Sequence, residues 1–174
     1  MSLNKTFIVS DTHFNHERII ELCDRPFANV DEMNQTMIEN WNRTVGPNDQ
    51  VYHLGDFAFS DSPENYFHRL NGVKHLIKGN HDPKETLRLP WASVRDYFEL
   101  KMDHKKFILF HYPIDNWNGM YKGWYDLYGH THEREGKMII PKKKNRINIG
   151  VDYWEFAPMS LQTIVTRIEN RDLY

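Results

Sequence analysis

Short apolar runs recur along the chain, and five of them end in a cluster of polar residues. The runs cover residues 7–9, 51–54, 75–77, 107–110 and 125–128. The clusters after them contain Asp11 and His13, then Asp56, then Asn80, His81 and Asp82, then His111, then His130 and His132. Each run predicts a buried strand. Because ligands of an open α/β sheet bind where strands end, these distant clusters are predicted to meet at one place.

The segments between the first three strands have the pattern of helices. Met33, Met37, Trp41 and Val45 repeat every four residues, which predicts an amphipathic helix with Asn29 as its N-cap. Shorter helices are predicted over residues 17–22 and 63–70. This alternation of strand and helix favours parallel strands joined by crossover helices.

The second half of the chain is predicted to be mostly β. Residues 94–102 and 106–111 have the pattern of a hairpin. Further strands are predicted through Leu127 and over residues 138–140, 146–149 and 161–168. Two stacked sheets flanked by helices would accommodate this order. The chain has no repeat and no linker, so one domain over residues 1–174 is expected.

The composition narrows the class of protein. Of 174 residues, 40% are hydrophobic and 26% are charged, and the net charge is −2, so the strongly basic character of a dedicated nucleic-acid binder is missing. Cys23 is the only cysteine, which favours a reducing compartment. With no apolar run of about 18 residues and no signal-peptide pattern, we expect a cytoplasmic protein that does not associate with membranes.

The clusters contain nitrogen and oxygen metal ligands. These are Asp11, His13, Asp56, Asn80, His111, His130 and His132. Such a set suits Mn, Fe, Zn, Co or Ni, and it is too large for one tetrahedral ion. If one aspartate bridges, seven side chains supply eight bonds, which is four for each of two ions. Two metal ions roughly 3.5–4 Å apart form a clamp for in-line displacement at phosphorus.

The charge of such a centre predicts the nucleophile. Two divalent ions bring +4 and the carboxylates of Asp11 and Asp56 bring −2, so the centre stays near +2. A centre with this charge attracts phosphate and lowers the pKa of a bridging water. The expected nucleophile is therefore a metal-bridging hydroxide and not a side chain.

His81 is not needed as a ligand. It lies beside Asp82 in a turn after the third strand. A histidine next to a carboxylate can be held in one orientation and kept protonated. His81 is therefore the candidate acid for the leaving oxygen, or a cation that stabilises the transition state.

Residues near the clusters are candidates for substrate contact. Asn15 and His16 follow the first ligand pair and could touch a phosphate, although Asn15 could instead cap the next helix. Tyr112 begins an aromatic segment, residues 112–124, whose rings could stack on a nucleobase. Packing of these rings on the domain's own core is the favoured alternative.

Three residues are expected to have no direct chemistry. His53 lies inside a strand, where packing or support behind the ligands is its expected role. Arg25 could reach an anion, but a side chain that faces solvent is the favoured expectation. Asp152 is expected in a tight turn that closes a sheet.

The ordered motifs resemble the calcineurin-like metallophosphoesterase superfamily. The motifs are Asp11-x-His13, Gly55-Asp56, Gly79-Asn80-His81-Asp82, His111 and Gly129-His130-x-His132. The resemblance covers residues 6–152. Each motif alone is common, whereas five in this order, each after a strand, are specific. The resemblance implies a four-layer α/β/β/α sandwich, with two central mixed β-sheets flanked by helices.

The resemblance also implies a role for each residue. Asp11, His13 and His132 would bind one metal ion, Asn80, His111 and His130 would bind the other, and Asp56 would bridge them. His81 would be the catalytic histidine, supported by Asp82. The cofactors would be two divalent or trivalent ions, with Mn, Fe and Zn as the leading candidates.

The expected function is a dinuclear-metal phosphoesterase that hydrolyses phosphoric mono- or diesters, with a small or nucleotide-like phosphoester as substrate. The bridging hydroxide would attack in line and His81 would assist the leaving group. One alternative is a nuclease on RNA or DNA, which the net charge of −2 does not favour. The other alternative is a metal-binding interaction module without catalysis.

Overall fold

The structure is a computed structural model that describes residues 5–102, 104–133 and 143–170. The strands are β1 Thr6–Val9, β2 Gln50–His53, β3 Val73–Ile77, β4 Ser93–Arg95, β5 Tyr97–Met102, β6 Lys105–Phe110, β7 Tyr125–Tyr128, β8 Arg146–Asn148 and β9 Met159–Ser160. The helices are α1 Glu17–Leu22, α2 Val30–Thr44, α3 Glu64–Phe67, α4 Lys84–Leu87 and α5 Leu161–Asn170. Two short 3₁₀ turns occur at Met120–Lys122 and Val151–Tyr153.

The strands form two mixed sheets. The first sheet has the order β4-β3-β2-β1-β9, in which β1 to β4 are parallel and β9 is antiparallel. The second has the order β5-β6-β7-β8, in which β5 and β6 are antiparallel and the other pairs are parallel. The expected four-layer α/β sandwich is confirmed: the two mixed sheets are its centre, and the described residues form five helices around them.

Strand alternation divides the core in two, because successive side chains of a strand point to opposite faces. In β1, Phe7 and Val9 contribute to a cluster that includes the buried stripe of α2. Ile8, between them, belongs to a second cluster that contains Leu109 and Leu127 of the second sheet. The first sheet is thus apolar on both faces, as expected for parallel strands between helices and another sheet.

Helix α2 forms as its sequence predicts. The Asn29 side chain accepts a hydrogen bond from the Glu32 backbone N–H, and the Glu32 carboxylate accepts one from the Ala28 N–H. This reciprocal arrangement fixes the start of the helix. The helix ends at Thr44, two residues before Gly46.

The prediction of a strand over residues 161–168 is wrong, because this segment lies in helix α5. Leu161, Ile164 and Val165 are buried, and their spacing follows the helical repeat of 3.6 residues. β-Branched residues, which this segment contains, are common in strands. The helix is favoured because its apolar face packs in the second cluster.

The run at residues 94–102 also differs from its prediction. It contributes β4 to the first sheet and β5 to the second, and only β5 forms the predicted hairpin with β6. Helix α4 is not anticipated by the sequence pattern. The strand predicted at residues 138–140 lies outside the described residues. No helix in the described part of the chain combines the length and apolar character that a membrane span requires.

Stability measurements can test which face of α5 is buried. Ile164→Ala should lower the free energy of unfolding by about 2–5 kcal/mol, because it leaves a cavity in the second cluster. Gln162→Ala, on the exposed side of the same helix, should change it by less than about 0.5 kcal/mol. Urea unfolding of both variants measures the difference. Similar losses in the two variants would contradict this packing of α5.

Candidate metal centre

The predicted ligands lie where strands of both sheets end. Asp11, Asp56 and Asn80 follow β1, β2 and β3 of the first sheet, while His111 and the pair His130 and His132 follow β6 and β7 of the second. Ligand atoms of Asp11, His13 and His132 lie within 4.8 Å of one another, and so do those of Asp56, His111 and His130. Each group has the residue types and spacing that could hold a metal ion.

Asp56 lies between the two groups. Its Oδ2 is 3.5 Å from His13 Nε2 and 3.6 Å from His111 Nε2. The other carboxylate oxygen, Oδ1, accepts a hydrogen bond from the His81 backbone N–H at 2.8 Å. One oxygen of Asp56 therefore faces both groups while the other fixes the loop after β3.

The second group also includes Asn80. His111 Nδ1 lies 2.7 Å from the Leu54 carbonyl oxygen, so it carries the proton that this carbonyl accepts. When Nδ1 carries the only ring proton, the lone pair is at Nε2, which is 2.9 Å from Asn80 Oδ1. Two acceptor atoms that face each other at this distance suit a shared cation.

His13 gives the clearest evidence that a cation fits. Both of its ring nitrogens are buried, and neither has a hydrogen-bond partner in the described part of the chain. Burial lowers the pKa of His13 well below its usual value, and neighbouring positive groups, His132 first, lower it further. The ring is therefore neutral and has a free lone pair, which is the state that binds a metal ion.

In the group of Asp11, His13 and His132, the pKa values of Asp11 and His132 are both raised. Burial raises the pKa of Asp11 to about 6, against the charges of His132 and His111, which lower it. Burial lowers the pKa of His132, but hydrogen bonds to Asp152 and Cys23 and the charge of Asp11 outweigh it, and the pKa is raised to about 10. The surroundings of this group therefore favour positive charge. A bound cation would supply that charge in place of the proton on His132.

Asp152 and Arg25 support His132 on the side away from the ligand group. Asp152 lies in a tight turn after β8, as expected, but the prediction that Arg25 faces solvent is wrong. The Asp152 carboxylate lies 2.9 Å from His132 Nδ1 and accepts two hydrogen bonds from Arg25. Arg25 is buried and also donates to the Asp11 carbonyl oxygen at 2.7 Å. The carboxylate orients the His132 ring through Nδ1. Asp152 follows a strand end like the ligands, and that position is the sequence signal for its role.

Backbone strain is concentrated at the predicted ligands. Five of them have positive φ angles: Asp11 (59°), His13 (48°), Asp56 (59°), His130 (66°) and His132 (47°). Each such conformation costs about 1 kcal/mol or more in a residue with a side chain. Strain of this kind persists only where surrounding structure imposes it, and it often marks a functional site.

Two glycines let the loops approach the carboxylates. A Cβ at Gly79 would collide with the carboxylate of Asp56. A Cβ at Gly129 would collide with Ser10 and with the carboxylate of Asp11. Glycine is therefore required at both positions, because any side chain would clash with these groups.

Asp82 organises the loop that carries His81, but its contacts differ from the expected pairing with that histidine. Its carboxylate accepts hydrogen bonds from the backbone N–H groups of Asp56, Phe57 and Gly79 at 2.7–3.0 Å. Asp82 therefore joins the loops after β2 and β3. The side chain of His81 is exposed, and its ring centroid is 5.8 Å from that of His13.

The three predicted substrate residues lie around the two groups. The His16 ring is 5.4 Å from the His13 ring, and its Nδ1 is buried without a hydrogen-bond partner among the described residues. Asn15 is exposed beside it, and its backbone N–H donates to Asn34. Tyr112 is on another side, with its ring 4.7 Å from that of His130.

The rest of the aromatic segment packs as the favoured alternative predicted, except at Tyr121. Trp117 is buried and its Nε1–H donates to the Trp124 carbonyl oxygen. Tyr121 is 91% exposed. His53 is fully buried, with Nε2 2.9 Å from Thr12 Oγ1, so it supports the loop between Asp11 and His13.

Comparison with known proteins agrees with this geometry. A family model described as the Calcineurin-like phosphoesterase superfamily domain matches residues 5–152. The chain belongs to the calcineurin-like phosphoesterase superfamily. The match spans all the predicted ligands and confirms the resemblance inferred from the motifs.

Relatives of this superfamily member extend over nearly its whole length. It is 39% identical to an uncharacterised protein of Methanocaldococcus jannaschii, over 97% of this chain and 94% of that protein. Its structure is similar to that of a protein of unknown function from Aquifex aeolicus, with a TM-score of 0.79, 25% identity, and coverage of 94% of this chain and 99% of the other. The E. coli phosphoesterase Yfce shares the fold, with a TM-score of 0.51, 16% identity, and coverage of 84% and 78%.

The role of Asp152 in this phosphoesterase domain can be tested by metal binding. Asp152→Asn should weaken Mn²⁺ binding about 10–100-fold, because His132 loses the carboxylate that orients its ring. Calorimetric titration of Mn²⁺ into metal-free protein measures the affinity. Asp96→Asn, which changes an exposed carboxylate paired with Lys78, is the control and should bind like the parent protein. Equal affinities in the two variants would contradict the orienting role.

Proposed function

We propose that the protein hydrolyses phosphoric mono- or diesters with two bound metal ions. Asp11, His13 and His132 would hold one ion, Asn80, His111 and His130 would hold the other, and Asp56 would contact both. The observation that carries the proposal is the pair of adjacent ligand groups with Asp56 Oδ2 about midway between them, 3.5 and 3.6 Å from a histidine of each. Membership of the phosphoesterase superfamily supports it.

The donor set fits divalent or trivalent ions such as Mn, Fe or Zn, which accept imidazole and carboxylate ligands together. When bound, the two ions would supply Lewis-acid stabilisation of charge on the phosphoryl oxygens and make water a stronger nucleophile at neutral pH. Only Asp11 and Asp56 bring negative charge to the two groups, so a phosphate anion would be attracted to the loaded site.

His81 is proposed to assist the leaving group. It lies next to Asn80, but its side chain is exposed beside the ligand groups and belongs to neither. Its backbone N–H is held by the Asp56 carboxylate, so the residue has a fixed place relative to both groups. From there the imidazole can donate a proton to the departing ester oxygen. Asp82 is proposed to act as a positioning residue for this loop.

A small phosphoester is a better substrate candidate than a polynucleotide. A cleft beside His81 is lined by three acidic residues, Asp61, Asp82 and Glu85, and by no lysine or arginine of the described part of the chain. A polynucleotide backbone would bring several phosphates against these carboxylates, which electrostatics disfavours. A module without catalysis would not require the exposed histidine that borders both the cleft and the ligand groups.

Asp56→Ala tests the shared ligand. The change should reduce the metal content from about two ions per chain to near zero, because both groups lose their common carboxylate. The variant should also be less stable in the presence of metal, since the buried imidazoles keep no shared counter-charge. Elemental analysis after reconstitution and gel filtration measures the content. Retention of two ions per chain would rule out the shared role.

His81→Ala tests the proposed acid. Turnover of bis(4-nitrophenyl) phosphate should fall about 10²–10⁴-fold, because proton transfer to the leaving oxygen is lost, while both metal ions are retained. His68→Ala removes an exposed histidine of the first sheet's flanking segment and should leave turnover unchanged. If His81→Ala is as active as the parent protein, the assignment of His81 is wrong. If the parent protein hydrolyses no phosphoester when metal-loaded, the proposed function is wrong.

A further inference from the structure

A cleft of about 510 Å³ opens next to the ligand groups and is formed by the loops after β1, β2 and β3. Its lining includes Phe59, Asp61, Asn80, His81, Asp82 and Glu85. Asn80 and His81 belong both to this cleft and to the proposed active site. A group that leaves from the phosphorus on the side of His81 would therefore enter the cleft.

Phe59 is an exposed ring in the wall of this cleft. One face stacks on His16, with ring centroids 4.5 Å apart and planes inclined by 22°. The side chain is nevertheless 54% exposed, so its other face is open. Its ring also lies edge-on to His81, at a centroid distance of 6.4 Å. An apolar ring fixed on one face and open on the other can stack on a flat ligand group.

Contact with His16 preorganises the Phe59 ring for stacking. The imidazole is half-buried, and its Nδ1 is buried as well. The stack of His16 on one face of Phe59 therefore holds the Phe59 ring in one orientation before any ligand arrives. Such preorganisation reduces the entropy lost when a ligand stacks on Phe59.

The cleft has the opposite charge to the loaded ligand groups. Asp61 and Glu85 add exposed carboxylates to its lining, while the carboxylate of Asp82 accepts hydrogen bonds from three backbone N–H groups. A second anionic group on the substrate would meet these carboxylates. The cleft therefore discriminates between neutral and anionic leaving groups.

We infer that this cleft is a leaving-group subsite that takes a flat, uncharged ring, either an aryl group or a nucleobase, stacked on Phe59. The substrate class is then a phosphoester of an aromatic or nucleoside-like alcohol with no further anionic group on the leaving side. This inference rests on the proposed function, because the phosphoryl group must bind at the two ligand groups for the ring to reach Phe59.

Binding of non-hydrolysable phosphonates tests the subsite without turnover. In the Mn²⁺-loaded protein, phenylphosphonate should bind on the order of tenfold more tightly than methylphosphonate, because only the former can stack on Phe59. Phe59→Ala should remove this preference. Phe59→Leu, which keeps an apolar side chain without a flat face, should remove most of it, and Phe59→Tyr should keep it. Calorimetric titration gives the affinities, and elemental analysis checks that each variant retains its metal ions.

The preference of the cleft for uncharged rings is tested with a second ligand and a second variant. 4-Carboxyphenylphosphonate should bind more weakly than phenylphosphonate, and the double variant Asp61→Asn, Glu85→Gln should reduce the difference to within about twofold. Thymin-1-ylmethylphosphonate distinguishes a nucleobase from an aryl group as the ring that binds in the cleft. Tighter binding than phenylphosphonate assigns the subsite to a nucleobase, and weaker binding assigns it to an aryl group.

The outcomes separate this inference from the proposed function. If bis(4-nitrophenyl) phosphate is hydrolysed but phenyl- and methylphosphonate bind equally, the subsite is wrong and the proposed function stands. A phenyl preference that survives in Phe59→Ala also overturns the subsite. If the loaded protein neither binds the phosphonates nor hydrolyses phosphoesters, both are overturned.

Discussion

Buried carboxylates and imidazoles from two sheets share one small volume, and the surrounding loops are built to keep them together. Asp11, Asp56, His13 and His111 are almost completely buried. Burial of such groups without a counter-charge or a hydrogen-bond partner is unfavourable, and both ring nitrogens of His13 are in that position. Two cations would convert this unfavourable cluster into a set of bonds, so metal binding and stability of these loops are expected to be coupled.

The loops hold the ligands through contacts that are not part of the ligand groups. Positive φ angles at five predicted ligands are maintained because other residues fix the backbone on either side. Asp82 joins two loops through three backbone N–H groups, and Arg25 holds the Asp11 carbonyl oxygen while it pairs with Asp152. These charged side chains belong to neither ligand group, and their hydrogen bonds orient the loops and the ligands.

The sequence predicts the parts of this molecule that depend on local pattern. The first three strands, helix α2 and the convergence of the ligands follow from apolar runs and from the rule for strand ends. Helix α5 was mistaken because β-branched residues suggest strands, whereas burial on one helical face decides its structure. The burial of Arg25 and its pairing with Asp152, 127 residues away, depend on tertiary packing that no spacing reveals. Phe59 was missed for the same reason, since exposure of a ring is a property of the folded surface.

The two sheets contribute differently to chemistry and to selectivity. Loops of both sheets supply the ligand groups, so the reaction depends on how the sheets are packed together. The cleft, in contrast, is lined by segments that follow strands of the first sheet, including Phe59, Asp61 and Glu85, and these three residues belong to neither ligand group. Under the proposed function, substitutions at these three positions would alter the choice of substrate and leave the ligands in place. Superfamily membership indicates the class of reaction, while the proposed role of the cleft is to select the ester.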